Sequence, residues 1–293
     1  MKKLGISLLL VVIMVMSISA VNAVDEDVSD DLVMSQTDSD VLEIDSVDED
    51  VSQAADDVEI LSSGTSKNFT QLQTDLSSGF LNLGSDYVRS EGETEVSISD
   101  SVVIIGNGEY KIDANNLGGI FNIGQAGTLT LNSVILVNGN SDNGGAIYNE
   151  GKLNVINSEL ADNTASIGGG VNFFESSENI IFNGEFISNS AINGGAIAAG
   201  AGIIKEVSFK NNHAENGGAI YFANAGEIMN CNFTANTASQ KTGAVYFDSF
   251  GTIENCNFAN NVASLWGSAI RMSSGNVTNC NFTNNLGDGG AIS

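Results

Sequence analysis

Seven copies of one glycine-centred phrase, each about two dozen residues after the last, restrict this chain to very few folds. They read Gly144-Gly145-Ala146-Ile147, Gly168-Gly169-Gly170-Val171, Gly194-Gly195-Ala196-Ile197, Gly217-Gly218-Ala219-Ile220, Thr242-Gly243-Ala244-Val245, Gly267-Ser268-Ala269-Ile270 and Gly289-Gly290-Ala291-Ile292. Subtracting successive first positions gives steps of 24, 26, 23, 25, 25 and 22. A repeat this short cannot bury a core alone, so its apolar side must be covered by the next copy. That requirement outranks the one or two ordinary domains that 293 residues would otherwise suggest.

Three repeats superpose residue by residue. Gly226 to Phe233, Gly251 to Phe258 and Gly275 to Phe282 all end in Asn-Cys-Asn-Phe. Each Phe is followed three residues later by Asn236, Asn261 or Asn285, with Leu160/Asn163, Phe186/Asn189 and Phe209/Asn212 as earlier versions. After each glycine cluster the pattern alternates as in a strand. Ile220 and Phe222, Val245 and Phe247, and Ile270 and Met272 face inward, with Tyr221, Tyr246 and Arg271 facing out. Cys231 and Phe233 form a second inward pair, but Ile228 lies an odd number of residues before Cys231. The chain must bend between them, which places Asn230, Asn255 and Asn279 at a corner. Asn accepts left-handed backbone, and stacked amides can bond along the column. The glycines mark a second corner, where a Cβ would clash.

Short strands and corners in 22–26 residues predict an all-β chain. The expected fold is a single-stranded parallel β-helix of about seven or eight coils, each with three strands and three corners. The right hand follows from the general rule for parallel crossovers. Four segments are expected: 1–23 a signal peptide, 24–64 an acidic leader, 65–117 an N-terminal cap with the first coil, and 118–293 the repeats. In the cap, Asn68 and Gln71 suit a capping box, Phe69, Leu72 and Leu76 share a helical face, and Gly79 ends the helix. Val96 and Ile98 alternate, Val102 to Ile105 reads as a buried strand, and Gly106-Asn107-Gly108 turns it. The chain stops at Ser293, within the strand expected after the last cluster. A truncated reading frame, a partner covering that edge, or end-to-end association through the last coil would each account for this.

Lys2 and Lys3, the apolar run from Ile6 to about Met16 and Val21-Asn22-Ala23 have the layout of a secretory signal. Without it, 8 basic residues face 36 acidic ones, a formal charge of −28. That balance opposes binding to nucleic acid or anionic lipid, and no second stretch is long enough to insert the mature chain in a membrane. Residues 24–61 hold fifteen Asp and Glu, no Lys or Arg and no aromatic, the composition of a hydrated, disordered leader. Cys231, Cys256 and Cys280 occupy one place in three successive repeats. They predict a buried file of thiols rather than disulfides or a metal site. No cofactor is implied.

The glycine cluster paired with Phe-x-x-Asn resembles the repeats of chlamydial polymorphic outer-membrane proteins. The cap phrases Asn68-Phe69-Thr70-Gln71-Leu72-Gln73 and Val103-Ile104-Ile105-Gly106-Asn107-Gly108, with Asn143-Gly144-Gly145-Ala146-Ile147-Tyr148-Asn149, are similar to adhesin-like proteins of methanogenic archaea. The resemblance spans essentially the whole chain. It implies an exported, secreted or cell-surface protein that contacts cells or extracellular polymers.

Parallel β-helices also serve as polysaccharide lyases and hydrolases, whose carboxylates converge from adjacent coils. Here Asp142, Asp162, Asp248 and Asp288 fall at different places in their coils, and His213 sits at an outward position. No catalytic site is expected. For binding, the outward column of Tyr148, Asn172, Ala198, Tyr221, Tyr246 and Arg271 offers an aromatic and guanidinium strip centred on Tyr148, Tyr221, Tyr246 and Arg271. Its expected partner is an extracellular glycan or a cell-surface protein. Asn68, Asn232, Asn276 and Asn281 begin N-glycosylation sequons. The expected role is a non-catalytic adhesion module. A carbohydrate-active enzyme and a passive coat or spacer protein are the alternatives.

Overall fold

The computed structural model describes residues 66–173 and 179–293, so the expected signal and acidic leader lie outside the described residues. Backbone contacts divide the chain into Met1–Val58 and Glu59–Ser293, and everything described belongs to the second unit. Within it, parallel strands stack into a β-solenoid of about eight turns, with one short helix at the start. No described helix is long and apolar enough to cross a membrane.

One coil shows the plan. Ile220–Phe222 forms a first face, Gly226–Met229 a second and Asn232–Thr234 a third. Thr237–Ala238 then makes a short fourth segment before the next glycine cluster. The coil therefore has four strand segments and not the expected three. The chain turns twice between Phe233 and the cluster, and the extended residues between those turns pair with their counterparts His213–Ala214 and Val262–Ala263.

Left-handed backbone makes the corners. Asn230, Asn255 and Asn279 have φ of 55°, 55° and 52°, as the odd spacing required. A second such corner, unforeseen in the sequence, precedes the Asn of each Phe-x-x-Asn phrase: Asn211, Ala235 and Asn260 have φ of 56°, 55° and 57°. Ala235 has no side-chain oxygen to ease this conformation, which costs about 1 kcal/mol for an L-residue. At the glycine corner the two glycines serve different needs. Gly217 has φ 65°, while a Cβ on Gly218 would lie 2.1 Å from the carbonyl oxygen of Gly243 in the next coil.

Equivalent residues align in files. Ile197, Ile220, Val245 and Ile270 pair in register, as do Phe209, Phe233, Phe258 and Phe282. The rings of Phe186, Phe209, Phe233, Phe258 and Phe282 stack with successive centroids 5.3, 4.9, 4.7 and 5.1 Å apart. That is the spacing of neighbouring strands, so each ring covers the next without disturbing the ladder. The thiols form the expected file, but Cys280 at its end is only partly buried. Cys231 and Cys256 are buried, and the Cys231 N–H lies 3.3 Å from Cys256 Sγ.

In the corner file the expected amide bond is made in earlier coils, where Asn183 Nδ2 donates to Asn157 Oδ1 at 2.7 Å, but the continuous ladder stands in a different file. No side-chain bonds join Asn230, Asn255 and Asn279. The buried ladder is made by Asn163, Asn189, Asn212, Asn236, Asn261 and Asn285. The Asn212 N–H and Nδ2 both donate to Asn236 Oδ1, at 3.1 and 2.9 Å. Asn236 repeats this toward Asn261 Oδ1 at 3.0 Å and donates Nδ2 to the Phe209 carbonyl at 3.0 Å. A polar group inside an apolar stack is tolerable only when every donor and acceptor is met, and the repeat meets them from the neighbouring coils.

The cap matches its sequence signature. Helix Phe69–Asp75 starts at Asn68, whose side chain accepts from the Gln71 N–H while the Gln71 side chain accepts from the Asn68 N–H. Phe69, Leu72 and Leu76 are buried and Gly79 is left-handed at φ 77°. Glu93 completes the helix start, accepting from the N–H groups of Phe69 at 3.2 Å and Thr70 at 2.8 Å, the Thr70 hydroxyl at 2.7 Å and the Ser90 N–H at 2.8 Å. Burial pushes its carboxyl up, but these donors outweigh burial and bring it down to about 2.

Candidate binding site

The outward column exists, though the structure splits it. Tyr148, Asn172, Ala198, Tyr221, Tyr246 and Arg271 pair in that order along the first face. Asn172 and Ala198 are buried between Tyr148 and Tyr221, and three coil steps separate those tyrosines by about 14 Å. Tyr148 stands alone with Glu150, to which its hydroxyl donates at 2.9 Å; that bond and partial burial push the phenol up. Tyr221, Tyr246 and Arg271 do come together.

Their geometry follows from the pairing register. The Tyr221 and Tyr246 rings stand 5.4 Å apart and tilted by 32°. Tyr246 was expected to be exposed, yet it is only 7% exposed. Charged neighbours from two coils cover it: Lys241 Nζ lies 5.0 Å from the ring centroid and the Arg271 guanidinium 6.0 Å. Arg271 also stacks on Trp266 at 3.7 Å, leaving Trp266 43% exposed.

Asp248 ties the tyrosines together. Both hydroxyls donate to it, Tyr221 to Oδ2 through a short bond and Tyr246 to Oδ1 at 2.6 Å. Burial pushes this carboxyl up. The two hydroxyl bonds and the charges of Lys241 and Arg271 outweigh burial and hold it below its ordinary value. Burial and the same carboxylate push the Tyr221 phenol far up, so it remains a neutral donor. Asp248 lies within Val245–Glu254, a strand that runs unbroken from the first face to the second, with its register against the next coil shifting between Phe247 and Phe250. The extra residue lets the strand swing outward while keeping its pairing with the coil on each side.

Sequence reasoning weighed Asp248 only as a catalytic carboxylate, not as part of this strip, and missed Lys241 and Trp266. Asp248 was legible, since it follows Tyr246 by two and must share its face. Lys241 and Trp266 precede equivalent residues of two glycine clusters, so they hold equivalent corner positions in successive coils. Their side chains reach the first face only because that corner folds against it.

The other candidates stay apart. Asp142 and Asp288 are exposed, and Asp162 sits at a left-handed corner with φ 56°. His213 is exposed, its Nδ1 2.9 Å from Thr237 Oγ1. Among the described residues no group of three His, Cys, Asp or Glu could hold a metal ion. Of the sequon residues, Asn276 and Asn281 are exposed, exposed Asn232 accepts from Asn257 Nδ2 at 3.2 Å, and Asn68 is engaged as the helix cap.

Residues 206–223 match the Chlamydia polymorphic membrane protein (Chlamydia_PMP) repeat. The matched segment runs from the second-face corner through the Phe209 and Asn212 files to Ala223, so it includes Tyr221. A comparison with curated proteins gave no match, and one with solved structures gave none.

Proposed function

We propose that this protein is a non-catalytic, surface-exposed adhesion module that binds an extracellular glycan or a cell-surface protein through the first face of its solenoid. The observation carrying this is the outward cluster of Tyr221, Tyr246, Asp248, Lys241, Trp266 and Arg271, built on successive coils. Rings held at fixed spacing by a rigid ladder lose little entropy on contact with a partner. The match to a repeat named for polymorphic membrane proteins, and a leading segment with the layout of a secretory signal, support a place outside the cytoplasm. A methanogenic adhesin-like relationship is part of the same proposal, resting on the phrases quoted above.

The test is adherence of the whole chain to cells and to immobilised extracellular polymers. Tyr221→Ala with Tyr246→Ala should abolish binding while the circular-dichroism spectrum stays that of a β-protein. A passive coat or spacer would bind nothing to begin with. Release of reducing ends or unsaturated sugars from polysaccharides would overturn the non-catalytic assignment.

A further inference from the structure

Eight Lys and Arg side chains lie among the described residues. Lys67, Lys111, Lys205 and Lys210 are in ion pairs, Arg89 donates to the carbonyls of Glu93 and Gly119, and Lys152 also has a partner. The charged groups of Lys241 and Arg271 make neither an ion pair nor a hydrogen bond among the described residues; each instead lies against an aromatic ring. In a chain with formal charge −26, two cations set against one carboxylate, Asp248, give this aromatic cluster a local surplus of positive charge. Asp248, the carboxylate on which both cations act, has both oxygens bonded to tyrosines.

From this we infer that the cluster binds an acidic saccharide, a sugar ring carrying a carboxylate. This deepens the adhesion proposal and rests on it. Arg271 lies over the Trp266 ring and its guanidinium N–H groups have no partner among the described residues, which leaves them for a two-point bond to a carboxylate, with Lys241 as a second donor from the preceding coil. The exposed part of Trp266 offers the flat apolar face on which a sugar's C–H groups stack. A uronic-acid ring unites both features in one rigid unit. An Asp or Glu side chain brings its carboxylate on a rotor and has no such face, so it loses more entropy for fewer contacts. Asp248 anchors the tyrosines and positions the cluster.

The experiment compares polygalacturonate, the same polymer with its carboxyls reduced to alcohols, and polyglutamate, each titrated against the whole chain. Polygalacturonate should bind at least about tenfold more tightly than either other polymer, and rising salt should weaken it. Lys241→Ala with Arg271→Ala should remove that preference, Trp266→Ala should weaken binding about tenfold, and Lys210→Ala should change nothing. Equal binding to the reduced polymer would overturn the acidic-sugar assignment, and tighter binding to polyglutamate would reassign the cluster to acidic peptides. An unchanged preference in the double variant would also sink it. If cell adherence dependent on Tyr221 and Tyr246 persists in any of these cases, only this inference fails; if no adherence is found, the adhesion role fails with it.

Discussion

The file through Asn236 carries Asn in every coil from Asn163 to Asn285, while the file through Tyr246 runs Tyr, Asn, Ala, Tyr, Tyr, Arg. Both are straight columns on the same ladder spacing. Inside, each residue must satisfy donors and acceptors from the coils before and after it, so one departure harms three coils. Outside, water completes whatever a neighbour leaves unmet, so successive coils can differ freely. The repeat thus separates the residues that build the solenoid from those that distinguish one stretch of its surface from another.

Substitutions in the two files should differ sharply. The largest effect is expected at Asn236→Ala, which leaves the Asn212 N–H and Nδ2 without their acceptor and the Phe209 carbonyl without its Nδ2 donor. Burying those groups unmet should cost roughly 3–5 kcal/mol in denaturant unfolding. A loss as small as that of a surface substitution would remove the distinction between the files. A middling effect is expected in the cap, where Glu93 titrates well below its ordinary 4.5, at about 2. A depressed carboxyl adds stability that is complete above 4.5 and is lost as pH falls from there through about 2. Glu93→Gln should flatten this acid limb of the stability curve; an unchanged limb would assign the acid sensitivity elsewhere. The smallest effect is expected at Tyr221→Phe, which removes one hydroxyl from the partly exposed cluster and should change stability by less than about 1 kcal/mol. The Asp248 carboxyl, losing a donor, should then titrate higher by nuclear magnetic resonance, and no movement would mean that Tyr246, Lys241 and Arg271 hold it without Tyr221.

Much of the fold was legible because a solenoid repeats its local rules. The odd spacing of Ile228 and Cys231 required a bend, and Asn230 is left-handed there. The Asn68 and Gln71 pair required a helix start, and the capping box is present. The corner file makes one such amide bond, Asn183 to Asn157, but the continuous ladder runs through Asn236 and was not foreseen, because Asn at a corner and Asn three after Phe look equally suited to stacking. Only the second, left-handed corner at residues such as Ala235 turns that amide inward. The site was half legible: alternation gave Tyr221, Tyr246 and Arg271 one face, but nothing local linked them to Lys241 and Trp266.

Period, strand alternation, inward files and corner chemistry are properties of short segments, and the amino-acid sequence determined them unaided. The tertiary structure decided which outward residues touch, because contact between neighbouring coils depends on register and on how the glycine corner leans against the first face. Two cations, an indole and two phenols from separate repeats became one cluster only when the coils stacked.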